Sequence, residues 1–205
     1  MFSTEIKICG LSKLEDIIAV NKFGADYAGF VFYKKSKRYV DSYKAGELIE
    51  LLRSDIKSVG VFLDEPIDSV INTARISGVE MIQLHGHESE EYVEYVKRTL
   101  GRQVIKAYKA SEDGALAKAA VSNADYVMID SGAGSGKKFD WNILKGFKKD
   151  YFLAGGLDPE SVGEAIRLLE PFAVDVSSGV ETDGIKDEKK IAEFIKAVKY
   201  GGNYA

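Results

Sequence analysis

The chain has 205 residues, 45% hydrophobic and 29% charged, which places it among globular proteins large enough to bury one substantial core. Its 28 basic and 32 acidic residues give a formal charge of -4 with the signs interspersed, excluding the basic stripe of a nucleic-acid binder and the polybasic end of a membrane-surface protein. The single cysteine, Cys9, cannot form an intramolecular disulfide and favours a cytoplasmic location; MFSTEIKIC shows no apolar leader, and no apolar run reaches the length of a membrane span.

The first predicted strand is EIKICG (5–10). Side chains alternate across a strand, so Ile6 and Ile8 share one face and Lys7 and Cys9 the other. The isoleucines suit a helix-covered face, which leaves Lys7 and Cys9 pointing inward with the thiol near the strand's end. A thiol beside a lysine has a route to a depressed pKa and to service as thiolate base or nucleophile; an inert packing cysteine is the alternative. KLEDIIAVNKFG then reads as a helix closing on glycine, followed by the strand YAGFVF (27–32). After it, KKSKRYV carries Arg38, whose planar fork suits a carboxylate, although exposed arginines are commonly just solvated.

The pattern continues with strand KSVGVFL (57–63), helix IDSVINTARISG and strand VEMIQLH (79–85). His85 ends that strand as either a ligand contact or a satisfied structural residue. Helix EYVEYVKRTLG leads to the strands QVIKAY (103–108) and DYVMID (125–130). The second ends on Asp130, a carboxylate behind a very apolar run. A low dielectric there would raise its pKa toward general-acid work; a turn cap is the alternative.

SGAGSGKKFDW follows. It fails as a nucleotide P-loop, because Ser131 stands five residues before Gly136 and Lys138 occupies the Ser/Thr position. It reads instead as a glycine-rich substrate lid, with Gly134 and Gly136 as candidate phosphate contacts. Strand YFLAG (151–155) precedes PESVGEAIRLLEP, for which Asp158 is the expected N-cap and Pro159 the first helical residue. AVDVSS (173–178) is the last strand. Gly155 and Gly156 follow the seventh strand, and Ser177, Ser178 and Gly179 follow the eighth. Loops at those two places form the phosphate site common in parallel barrels, binding through backbone N–H groups. Asp175 points at the same rim.

Strand starts at 5, 27, 57, 79, 103, 125, 151 and 173 are separated by 22, 30, 22, 24, 22, 26 and 22 residues. Eight near-equal βα units predict an α/β fold, a (β/α)8 TIM barrel forming one domain over 1–205. A doubly wound sheet is the runner-up. In the barrel, Cys9 and Asp130 face each other across the catalytic mouth, as an acid and a base acting on opposite ends of one substrate. Two histidines and one cysteine offer no metal-ligand set, and no metal site is expected.

KICG, SKRYV, GVF, QLHG, GSGKKFDW, LAGGLDPESV and DVSSGVETDGIKD resemble the phosphoribosylanthranilate isomerase family of tryptophan biosynthesis, over nearly the whole chain. GAGSGK departs mildly from the family's Gly-Gly-Thr-Gly-Lys-like loop, with Ser135 for Thr. The resemblance implies an Amadori rearrangement of N-(5-phosphoribosyl)anthranilate to 1-(2-carboxyphenylamino)-1-deoxyribulose 5-phosphate, without metal or cofactor. It implies a small phosphosugar substrate and a monomer or homodimer. It places the general base on Cys9, the general acid on Asp130 and the grip on the anthranilate carboxylate on Arg38. Lys7, His85 and Asp175 are expected at the substrate, and the glycine and serine loops at its phosphate. Two rival readings are another sugar-phosphate isomerase or epimerase on the same barrel, and a non-catalytic barrel that binds a phosphorylated metabolite.

Overall fold

The computed structural model describes residues 4–132 and 141–200. Eight parallel strands close on themselves: β1 (Glu5–Cys9), β2 (Tyr27–Val31), β3 (Lys57–Phe62), β4 (Met81–Leu84), β5 (Gln103–Lys109), β6 (Tyr126–Asp130), β7 (Tyr151–Ala154) and β8 (Ala173–Val176). Lys7 of β1 stands opposite Tyr27 of β2 on one side and Asp175 of β8 on the other. That β1–β8 pairing completes the expected barrel and excludes the doubly wound alternative, which would leave two open edges.

Around the barrel run α1 (Leu14–Phe23), α2 (Ser42–Ile49), α3 (Ile67–Ser77), α4 (Glu90–Leu100), α5 (Ala115–Val121), α6 (Val162–Leu169) and α7 (Glu188–Tyr200). Among the described residues, no helix is long and apolar enough to cross a membrane.

Strand alternation divides the core in two. Ile6, Ile8, Phe30, Ile82, Leu84, Val127 and Ile129 face outward and pack with helix residues such as Ile17, Val20, Val70 and Val93. Tyr27, Val59, Met81, Ile105, Met128, Phe152 and Ala173 fill the barrel interior. Phe152 packs edge-on against Tyr27, Tyr126 and Phe172, so rings plug the end of the barrel where the strands begin. Tyr27 and Phe152, the fully buried rings of the four, each contribute about 1.5–3 kcal/mol, and the plug keeps water from the charged groups above it.

The recurring 22-residue step has a physical counterpart. The acidic residue just before β2, β4 and β6 accepts a backbone N–H from the preceding strand. Asp26 takes Ile6 N at 2.8 Å, Glu80 takes Ser58 N at 2.9 Å and Asp125 takes Val104 N at 2.8 Å. Each clamp ties an odd strand to its even neighbour at the end opposite the active-site mouth.

Several local expectations change: the fourth strand runs Met81–Leu84 rather than 79–85, so His85 follows it instead of ending it. The last strand ends at Val176, leaving Ser177 and Ser178 in the loop beyond it. Helix α6 begins at Val162 rather than Pro159, because Asp158 to Ser161 forms a closed turn first. Asp158 still caps that turn: its carboxylate accepts Ser161 N at 2.8 Å, and Ser161 Oγ accepts Asp158 N at 3.2 Å. A short hairpin after β8, β9 (Glu181–Thr182) with β10 (Ile185–Lys186), was not foreseen. Its signal was the Asp183-Gly184 dipeptide, whose φ angles of 52° and 77° are those of a primed hairpin turn.

Candidate active site

At the C-terminal ends of the strands lies a cavity of about 380 Å³. Of the sequence-expected residues, Cys9, Arg38, His85, Asp130, Gly155, Gly156, Asp175, Ser177, Ser178 and Gly179 all line it. Gly134 and Gly136 lie outside the described residues. Lys7, the other residue expected at the substrate, is wholly buried and does not line the cavity; its charge lies beside Asp175, which does.

The β1 side is built from paired charges. Lys7 Nζ meets Asp175 Oδ1 at 2.6 Å, with the lysine wholly buried and the aspartate nearly so. Cys9 faces Gly29 of β2, and a side chain on Gly29 would sit 2.9 Å from Sγ and 3.1 Å from Lys7 Nζ. Glycine there is the condition for thiol and ammonium to lie side by side. Burial opposes the Lys7 charge, but Asp175 and then Cys9 hold the ammonium above the usual lysine value.

For Cys9 the expectation of a depressed pKa is overturned. Burial pushes the thiol above its ordinary value, and the nearby Lys7 charge offsets this only in part because Asp175 acts against it. In the free site, thiol is the resting form.

The hairpin after β8 adds two residues that the sequence reading missed. Glu181 takes the Arg38 fork, Nε to Oε1 at 2.6 Å and Nη2 to Oε2 at 2.7 Å. Lys186 also reaches Glu181, and donates to Ser177 O at 2.9 Å. Ser177 Oγ donates to the backbone oxygen of Cys9 at 3.0 Å, joining the hairpin to β1. Burial acts to raise the Glu181 carboxyl, yet Arg38 and Lys186 hold it below the usual range. Burial lowers Lys186 despite its partner. Arg38 therefore enters the cavity with one edge of its guanidinium already fixed.

The β6 side is looser. Asp130 Oδ1 accepts Gly132 N at 2.8 Å, and Oδ2 lies 3.3 Å from His85 Nε2. Gly155, after β7, leaves the room this carboxylate needs, since a Cβ there would stand 2.5 Å from Oδ1. The expected upward shift is corrected. Burial does act to raise the group, but the hydrogen bonds from His85 and Gly132 outweigh it and leave Asp130 below the ordinary aspartate value. Carboxylate is its resting form.

Between the two sides, the loops after β7 and β8 interlock. Gly179 lies so close to the Leu157 carbonyl that no side chain fits, and Gly155 and Gly156 take positive φ angles of 94° and 65°. The result is a rim of glycine and serine backbone, the kind of surface that receives an anion without a basic side chain.

Residues 6–197 match the family model described as N-(5'-phosphoribosyl)anthranilate (PRA) isomerase. The N-(5'-phosphoribosyl)anthranilate isomerase of Endomicrobium trichonymphae is 41% identical over 200 residues, covering 95% of this chain and 98% of its own. That of Clostridium acetobutylicum is 44% identical over 204 residues with the same coverage. The phosphoribosyl anthranilate isomerase structure from Thermotoga maritima superposes with a TM-score of 0.88 at 38% identity, covering 96% of this chain and 98% of that one. A second such structure, with a TM-score of 0.86 at 36% identity and the same coverage, is a complex with reduced 1-(o-carboxyphenylamino)-1-deoxyribulose 5-phosphate.

Proposed function

Because the chain belongs to the N-(5'-phosphoribosyl)anthranilate isomerase family, we propose that Cys9 is the general base and Asp130 the general acid of the family's reaction. The enzyme is an isomerase of tryptophan biosynthesis, carrying out the Amadori rearrangement of N-(5-phosphoribosyl)anthranilate. The observation that carries the assignment is the joint presence of the two groups in one cavity, on β1 and β6, three strands apart around the ring.

Asp130 protonates the furanose ring oxygen and opens the ring to a Schiff base. The Cys9 thiolate takes the C2 proton, giving an enolamine that tautomerises to the ketone. Each step moves a proton between a side chain and a substrate atom, the task for which positioned acids and bases contribute about 10²–10⁴-fold each. Arg38, braced by Glu181, holds the anthranilate carboxylate, and the Gly155–Gly156 and Ser177–Gly179 rim holds the phosphate. Lys7, Asp175 and His85 tune and orient the two reacting groups. The enzyme acts in the cytoplasm as a monomer or homodimer; a Thermotoga maritima relative is dimeric.

The directions of the two pKa shifts define the working state. Thiol and carboxylate are the resting forms, whereas the reaction needs thiolate and carboxylic acid. The two pairs contain the same number of protons, so the active pair is a constant fraction of the enzyme between the two titrations. kcat/KM is then flat through the neutral range. It falls in acid as Asp130 titrates, below the ordinary carboxylate range, and in alkali as Cys9 titrates, above the ordinary thiol range.

The test generates the labile substrate in situ and follows the loss of anthranilate-type fluorescence. Cys9→Ser and Asp130→Asn are each expected to lower turnover by about 10²–10⁴-fold while binding of the reduced product analogue persists. Wild-type turnover in both would overturn the assignment.

A further inference from the structure

One buried side-chain polar atom among the described residues has no hydrogen-bond partner, and it lies behind the acid. Gln83, on β4, is 1% exposed, faces into the barrel and lines the cavity, yet its Oε1 is unpaired. Its Nε2 lies 2.8 Å from His85 Nδ1 and 3.3 Å from Met128 Sδ. His85 Nε2 is in turn 3.3 Å from Asp130 Oδ2. Amide, imidazole and carboxyl thus form one chain.

An amide nitrogen only donates, so in this arrangement Nδ1 accepts and the ring hydrogen sits on Nε2, aimed at an ionised Asp130. A half-turn of the carboxamide exchanges its ends. Oε1 then accepts from a hydrogen on Nδ1, and Nε2 of the ring faces a proton on Asp130. The turn leaves the amide nitrogen in the position that Oε1 vacates, so neither orientation satisfies every group.

We propose that Gln83 is a positioning residue for proton delivery: the orientation of its carboxamide sets which nitrogen of His85 carries hydrogen, and through it whether Asp130 holds the proton that the ring oxygen receives. This rests on the reading of Asp130 as general acid. One proton separates the two arrangements. It is taken up at His85 Nδ1 as Oε1 turns to accept it, and the hydrogen already on Nε2 passes to Asp130 Oδ2. Delivery to the substrate leaves a bare Nε2 opposite a carboxylate, a repulsive contact relieved by uptake of the next proton. The titratable and charged groups facing the pair are Lys109 at the end of β5 and, around the cavity, Cys9, Arg38 with its partner Glu181, and Asp175 with its partner Lys7.

The chain has only two histidines, so nitrogen NMR of ¹⁵N-labelled imidazoles reads the proposal directly, with exposed His87 as internal reference. Gln83→Met removes both donor and acceptor, and Gln83→Glu keeps only acceptors. In Gln83→Glu the signals are expected to show hydrogen held on His85 Nδ1. In Gln83→Met that preference is lost and kcat falls by about tenfold with KM within about twofold, a loss that Gln83→Glu largely restores. Unchanged ring signals in both variants would overturn the proposal, whatever happens to turnover. Should Gln83→Met fail to bind the reduced product analogue, the ring signals of Gln83→Glu decide. Wild-type turnover in Asp130→Asn would instead remove the acid reading on which the proposal rests, while the ring signals still report whether Gln83 controls His85.

Discussion

The two sides of the cavity are built differently. Around Cys9 each charge has a close partner: Lys7 with Asp175, and Arg38 and Lys186 with Glu181. Around Asp130 the ring of His85 stands off at 3.3 Å, and the amide behind it leaves an acceptor unpaired. Close pairing holds a geometry; loose pairing lets a proton move. Burial governs the thiol and hydrogen bonding governs the carboxyl, so their pKa values move apart. The difference assigns rigidity to the Cys9 side, the proposed base, and exchangeability to the Asp130 side, the proposed acid.

The strongest way to break the contrast is to unpair the rigid side. Lys7→Met leaves a nearly buried Asp175 carboxylate without its partner and is expected to cost about 3–5 kcal/mol in urea unfolding. Lys7→Met combined with Asp175→Leu should regain most of that stability. A single variant as stable as wild type would mean that the pair does not hold β1 to β8. Next in size is Gly29→Ala, whose methyl group would press on Sγ and on Lys7 Nζ. It is expected to cost about 1–3 kcal/mol and to lower kcat by moving the thiol. Wild-type kcat in that variant would show that the thiol's position is not critical.

Stability against pH separates the sides again. The Cys9 thiol is raised in the folded chain, so it adds stability below the ordinary thiol pKa, lost as pH rises through the higher folded value. Asp130 is lowered, so it adds stability above the ordinary aspartate pKa, lost as pH falls through the lower folded value. Urea unfolding across pH should therefore flatten at the alkaline end in Cys9→Ala and at the acid end in Asp130→Asn. The smallest effect is expected from Glu181→Gln, which loosens the partly exposed Arg38. It should weaken apparent substrate affinity by about 0.5–1.5 kcal/mol with kcat little changed. A fall in kcat alone would assign Glu181 to the chemistry instead.

The eight strands were legible because each repeats the same passage from period-two to period-3.6 patterning. The inward aim of Cys9 followed from Ile6 and Ile8, and the rim position of Asp130 from the apolar run before it. The directions of both pKa shifts were not legible, since their causes are remote in sequence. Lys7 is neutralised by a residue 168 positions away, and Asp130 is met by a histidine 45 positions before it. Glu181 and Lys186 escaped notice because the Asp183-Gly184 turn that brings them to Arg38 was passed over as loop. Gln83 gave no signal at all, because an unpaired acceptor exists only once its neighbours are placed.

The central claim is that Asp130 opens the ring and Cys9 removes the C2 proton. A primary isotope effect on substrate deuterated at C2, made in situ, tests it most directly on the residual turnover of each variant. Cys9→Ser should make C2 proton removal limiting and raise the effect well above that of wild type. Asp130→Asn should make ring opening limiting and bring it close to one. Equal effects in the two variants, or the reverse order, would contradict the assignment.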